Sequence, residues 1–248
     1  MKRGQPCQPA TSTSDPAEDE RLRNPFWHAL LTEQAAIALG SGAARRFPPD
    51  CIPFAGLATW DHSSFTALHA LLAPGESIFV TREESTRPPP PIVFAESIAC
   101  LQMIYAPRHS PEEPRLEPAA LQPALLGPPD VPEMMALKQL AFPGYYGPRA
   151  PSLGTYYGIR VAGQLVAMAG ERLALPSMRE VSAVCTHPAH LGQGYAARLI
   201  RKLVADQLAS ALTPFLHVIA TNQRAIALYE RLGFVPTRML IFERLERS

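Results

Sequence analysis

Four cysteines in 248 residues, at positions 7, 51, 100 and 185, are too few and too widely spaced for a disulfide framework or a C-x-x-C zinc site. That scarcity suits a reducing cytoplasm, which is the expected location, and it leaves no expectation of a metal. Charge of one sign is lacking too. Twenty-three Lys and Arg against 22 Asp and Glu leave a formal net charge of +1, so no electrostatic reason exists to expect nucleic acid or a membrane surface as partner. No apolar run approaches the length of a membrane span. The opening stretch MKRGQPCQPATSTSDPAEDE has no apolar h-region and is not a signal peptide; residues 1–23 read as a disordered leader. No Gly-Lys-Ser/Thr follows any glycine-rich turn, which excludes a P-loop.

Proline, by contrast, is plentiful, with 27 residues unevenly spread. The run at 88–91 must be a stiff loop between two apolar strands, because consecutive prolines cannot pair in a sheet. APRHSPEEPRLEP (106–118) mixes proline with charge and reads as a linker, dividing the chain into a smaller α/β domain at 24–110 and a larger one at 111–248. In the first, Asn24-Pro25 signals a helix start and Gly40 a helix end, a second helix is expected at 63–73, and strands at 77–82 and 91–106. This half carries no phosphate turn, metal spacing or nucleophile–base pair.

The second half is more informative. A strand near 121–126 leads to a helix capped by Asp130, and the alternation around Ala162-Gly163 predicts a β-hairpin. Residues 180–196, EVSAVCTHPAHLGQGYA, read as a strand, a break and a glycine-rich turn opening into a helix. Gly192 and Gly194 allow consecutive N–H groups to converge, and the helix adds its positive N-terminal dipole, which together make an anion site. That helix should bury Leu199, Ile200, Leu203, Val204 and Leu208. The turn also fits the dinucleotide fingerprint, but LHVIATN, where a ribose-binding acid is required, offers no carboxylate. An isolated pair of glycines is no more than a strand-to-helix connection. What lifts this one above that is the strand at 214–220 and the segment NQRAIALYERLGF (222–234) that follow it.

The turn Leu191-Gly192-Gln193-Gly194-Tyr195-Ala196 and the run Asn222, Ala225, Leu228, Tyr229, Gly233, Phe234 together resemble the GNAT superfamily of acyl-CoA-dependent N-acetyltransferases. The later segment matches at every signature position; the turn departs once, Leu191 standing where Gln or Arg is usual. The wording THPxxxGxGYA and the opening NPFWHAL are similar to the glycine-acyltransferase-like branch. The resemblance implies a mixed, mostly antiparallel sheet flanked by helices over 111–248, with 24–110 as a degenerate GNAT-like domain. It implies acetyl-CoA as cosubstrate and a small-molecule or peptide amine as acceptor. Backbone groups of Val184, Cys185 and Thr186 would pair with pantetheine; the amides from Leu191 to Ala196, with Asn222, would complete the cosubstrate site. Tyr229 would protonate the departing thiolate. Glu180 would be the base, with Glu171 its rival, because an amine with a pKa of about 10 must lose a proton before it can attack. Cys185 reads better as a small buried residue than as a nucleophile. Tyr145, Tyr146, Tyr156 and Tyr157 either line the acceptor pocket or serve as packing.

Overall fold

A computed structural model describes residues 15–85, 87–90, 92–107, 122–144 and 146–248. Most of the expected leader (1–14), the core of the proline-rich linker (108–121) and Tyr145 lie outside the described residues. Residues 16–23, expected as part of that leader, are helical. Asp15 accepts the Ala17 N–H at 3.0 Å and caps helix α1 (Pro16–Arg23), whose Leu22 is buried. Helix α2 (Pro25–Leu31) begins at the Asn24-Pro25 signal, but Asn24 does not cap it; its Nδ2 donates to the Leu57 carbonyl at 2.8 Å instead. Strands β1 (Ala44–Arg46) and β2 (Ala55–Leu57) form a small antiparallel ribbon, and helix α3 spans His62–Leu71.

Eight further strands make one sheet. In chain order they are β3 (Ser77–Arg82), β4 (Ile92–Tyr105), β5 (Ala124–Leu125), β6 (Tyr156–Val161), β7 (Gln164–Leu175), β8 (Met178–Thr186), β9 (Thr213–Ile219) and β10 (Phe234–Arg247). Their spatial order is β3-β10-β4-β9-β8-β7-β6-β5, and every neighbouring pair is antiparallel except β8 and β9. The β6–β7 hairpin turns at Ala162 and Gly163, both at positive φ (49° and 84°), as a two-residue primed turn requires. Helix α4 (Val131–Ala141) follows β5; Asp130 accepts the Gly127 N–H and pairs with Arg160 rather than capping α4 through its side chain. Helices α5 (Tyr195–Ala209) and α6 (Gln223–Arg231) pack on the opposite face.

The sheet runs across the expected boundary at residue 110. Strand β4 inserts between β9 and β10, so the first half contributes two strands to the same sheet and is not a separate layer of its own. Cores lie on both faces, one under α5 and α6 with Met103, Leu216 and Phe234, the other under α1 and α2 with Phe26, Phe215 and Phe242. On α5 the buried stripe continues through Gln207 (2% exposed) and not Leu208 (47% exposed). Positions 199, 203 and 207 are one turn apart each, and Gln207 is held there by donating to Glu171 at 2.8 Å. No helix among the described residues is long and apolar enough to cross a membrane.

Candidate active site

The parallel pairing of β8 with β9 lasts only from Met178/Thr213 to Glu180/Phe215. Beyond that rung the two strands part. β9 turns to β4, pairing from Phe215/Ile104 to Ile219/Cys100, while β8 keeps only β7. The edge of β8 from Val181 to Thr186 therefore faces an opening with unpaired backbone groups, a place where an extended chain can add as a strand. Within it Ala183 takes φ 51°, and two residues of β8, Ala183 and Val184, oppose one of β7, Ala169, between the Cys185/Met168 and Ser182/Gly170 pairs. This is a bulge, which re-aims the side chains that follow. Val184 packs toward the α5–α6 core, and Cys185 is buried toward α4, where burial pushes its thiol up to about 12 and keeps it protonated at neutral pH.

The glycine turn stands at the end of that edge. His187 Nδ1 accepts the Ala189 N–H at 3.1 Å, forming a short 3-10 turn over Pro188–His190. Gly192 (φ 79°) and Gly194 (φ 76°) both lie in the left-handed region, and α5 starts directly after them. Among the described residues, the amides from Leu191 to Ala197 make no hydrogen bond. Space around both glycines is open, so unused N–H donors and a helix N-terminus share one exposed corner. Leu191 is half-exposed, and the Tyr195 ring is buried in the core with only its amide at the turn. Asn222 is the N-cap of α6, its Oδ1 accepting from Ala225 N at 3.1 Å; that cap is the contact the structure gives it.

Tyr229 sits on the inner side of α6, 9% exposed, edge-on to Phe234 at 6.0 Å. Its hydroxyl has no hydrogen-bond partner among the described residues. Burial, and secondarily the charge of Glu180, push it up to about 12, so it keeps its proton at neutral pH and is available as a donor.

Glu180 departs from expectation. It is 0% exposed, with Arg172 donating through Nε (2.9 Å) and a terminal nitrogen (2.5 Å), and His217 Nδ1 lying 2.7 Å from its Oε1. Burial alone would raise its pKa, but Arg172 first and His217 second outweigh that and hold it at about 2. A carboxylate so occupied and so acidic is poorly matched to taking a proton from an ammonium group. Glu171, half-buried, accepts only from neutral donors, Thr155 N at 2.9 Å and Gln207 Nε2 at 2.8 Å. The tyrosines separate. Tyr146 and Tyr156 meet at 6.2 Å beside Cys185, whereas Tyr157 turns to the other face and donates to Asp206 at 2.6 Å. Arg172 and His217, which hold Glu180, and Gln102, which meets His217 from the other side, were not singled out from sequence. Alternation along β8 and β9 puts Glu180 and His217 on one face only once the strand register is known. Among the described residues no cluster of three or more His, Cys, Asp or Glu is arranged to hold a metal ion.

This fold has counterparts among known proteins. Residues 156–241 match the family model described as FR47-like protein. A protein from Novosphingobium aromaticivorans, described as an acetyltransferase of the GNAT family, is 37% identical over 92% of this chain and 98% of its own, with a TM-score of 0.82. The chain belongs to the GNAT family, whose fold supports acyl transfer. GCN5-related N-acetyltransferases from Kribbella flavida (17% identity, 89% and 95% of the two chains, TM-score 0.54) and Sphaerobacter thermophilus (14%, 83% and 77%, 0.51) share the fold. No curated protein matches the sequence.

Proposed function

We propose that this protein is an N-acetyltransferase that moves an acetyl group from acetyl-CoA to a primary amine by direct attack. The observation that carries this reading is the row of unbonded amides from Leu191 to Ala197 at the end of the open β8 edge. Pyrophosphate would bind those amides, and pantetheine would lie along Val184, Cys185 and Thr186 as an added strand. With Leu191 supplying no polar side chain, backbone N–H groups carry the anion site. The neutral amine attacks the thioester carbonyl, the C–S bond breaks as the sulfur takes the proton of the Tyr229 hydroxyl, and the proton shed by the acylated nitrogen returns to the Tyr229 oxygen. Because Glu180 is committed to Arg172 and His217, it enters as a fixed charge, and Glu171 becomes the preferred carboxylate for receiving the ammonium proton. The similarity of THPAHLGQGYA to the glycine-acyltransferase-like branch supports placing the chain there. Calorimetry with CoA, followed by thiol release from acetyl-CoA against amino acids, amines and peptides, tests the reading. Binding together with release that depends on one amine class is expected. No binding at millimolar CoA would reject it, while tight binding with no release across the panel would instead favour a non-catalytic acyl-CoA sensor.

A further inference from the structure

Four polar side chains on four adjacent strands cross the lower face of the sheet where it begins to split. Arg172 on β7 grips Glu180 on β8; Glu180 meets His217 on β9; His217 Nε2 lies 3.0 Å from Gln102 Nε2 on β4. Gln102 also donates to the Leu22 carbonyl at 2.9 Å, so its amide nitrogen faces the imidazole as a donor. That makes Nε2 of His217 the acceptor and places the ring proton on Nδ1, where it donates to Glu180. Glu180 and Gln102 are 0% exposed, and the His217 side chain is 2% exposed. The row is also walled in. Phe26 and Phe54 lie over the Arg172 guanidinium at 5.2 and 4.9 Å, and Phe242 lies against His217 at 5.4 Å.

Its position is what gives it meaning. Glu180/Phe215 is the last backbone rung between β8 and β9, and the Glu180–His217 contact is a side-chain tie reaching two residues further along β9 than that rung. We infer that this tie fixes how far the opening between β8 and β9 extends, making His217 a positioning residue that sets where the thioester stops relative to Tyr229. The inference rests on the acyl-CoA reading above. A buried ion pair alone would be met by Arg172 and Glu180; His217 adds a bond between the two strands that must part for a ligand and stay together beneath it. Displacing reacting atoms by about 1 Å costs on the order of 10²-fold in rate without requiring a loss of binding.

The test uses the full chain, with acetyl-CoA as donor and hydroxylamine as acceptor, a nucleophile already neutral near neutral pH, so that no base is needed. His217→Phe keeps the aromatic packing and removes the tie; His217→Asn keeps an N–H near the place of Nδ1. The expected result is a fall in kcat of about 10²-fold for His217→Phe, with CoA affinity by calorimetry unchanged and kcat largely restored in His217→Asn. Should His217→Phe not fold, Gln102→Leu combined with His217→Leu, which leaves the Arg172–Glu180 pair in an apolar setting, carries the same measurement. Unchanged kcat in a folded variant, or kcat and affinity falling together, overturns the positioning role. A wild-type protein that neither binds CoA nor releases thiol overturns the acyl-CoA reading itself, and this inference with it.

Discussion

Glu180 is held ionised by contacts of 2.5–2.9 Å from Arg172 and His217 in a site with no exposure, and this fixes what its loss must do. Its folded pKa, about 2, lies below the ordinary 4.5, so its contribution to stability is full above about 4.5 and is lost as pH falls toward 2. Wild-type protein should therefore lose stability across that window, and Glu180→Gln should show no such loss from this group. At neutral pH the same variant leaves Arg172 buried without its charge partner and should cost about 3–5 kcal/mol in denaturant unfolding. A Glu180→Gln protein as stable as wild type would show that the pair is not formed. Glu171→Gln should be mild in stability, because its donors are neutral, yet lower turnover with protonated amines and spare it with hydroxylamine. Tyr229→Phe removes only a hydroxyl that no other described side chain uses. Turnover should fall by about 10²-fold or more while calorimetric CoA affinity stays. Unchanged turnover where chemistry limits the rate removes Tyr229 from the mechanism.

The glycine turn and α6 work as local elements, and that is why they could be read in advance. Gly192 and Gly194 at φ 79° and 76° follow from the glycines themselves; Asn222, expected at the cosubstrate, is placed by the structure as the cap of α6. A Cβ at either glycine meets nothing within 4 Å, so substitution brings strain and no clash. Gly192→Ala and Gly194→Ala should each cost about 1–2 kcal/mol from the positive φ, and weaken CoA binding further as the amides turn away. Calorimetry showing full CoA affinity in the double variant would separate the turn from the cosubstrate site. Strand β3 and the β6–β7 hairpin were legible for the same local reason, alternation and a two-residue turn. Asn24 was misread because its Nδ2 donates to the Leu57 carbonyl, 33 residues away in sequence, and that bond, rather than a helix amide, orients its side chain. Gln207 was missed because a polar residue earns burial only through a partner, here Glu171, that sequence spacing on α5 cannot show. The polar row from Arg172 to Gln102 was invisible for a stronger reason. It needs the register of four strands at once, and its last member comes from the other half of the chain.

At the scale of the molecule, the apolar run that becomes β4 announces a strand and says nothing of where it inserts. It pairs with β10 from Ile92/Arg247 to Tyr105/Phe234 and with β9 over Cys100–Ile104, so β4 closes two strands of the second half at once. Without it, β9 keeps only its short pairing to β8, and β10 keeps only β3, which also comes from the first half. The 111–248 segment alone would then carry two long unpaired edges, and the cores would lose Met103, Tyr105 and Cys100 from the sheet itself. Exposed edges and an opened apolar face favour aggregation over folding. Residues 111–248 expressed alone should therefore be insoluble or lack a cooperative thermal transition, and co-expression with residues 1–110 should restore a soluble complex that binds CoA. A monomeric 111–248 fragment that unfolds cooperatively and binds CoA as the whole chain does would show that β4 is an addition to a self-sufficient domain. The geometry argues the opposite, because the strand that holds Gln102 against His217 is the one that such a fragment lacks.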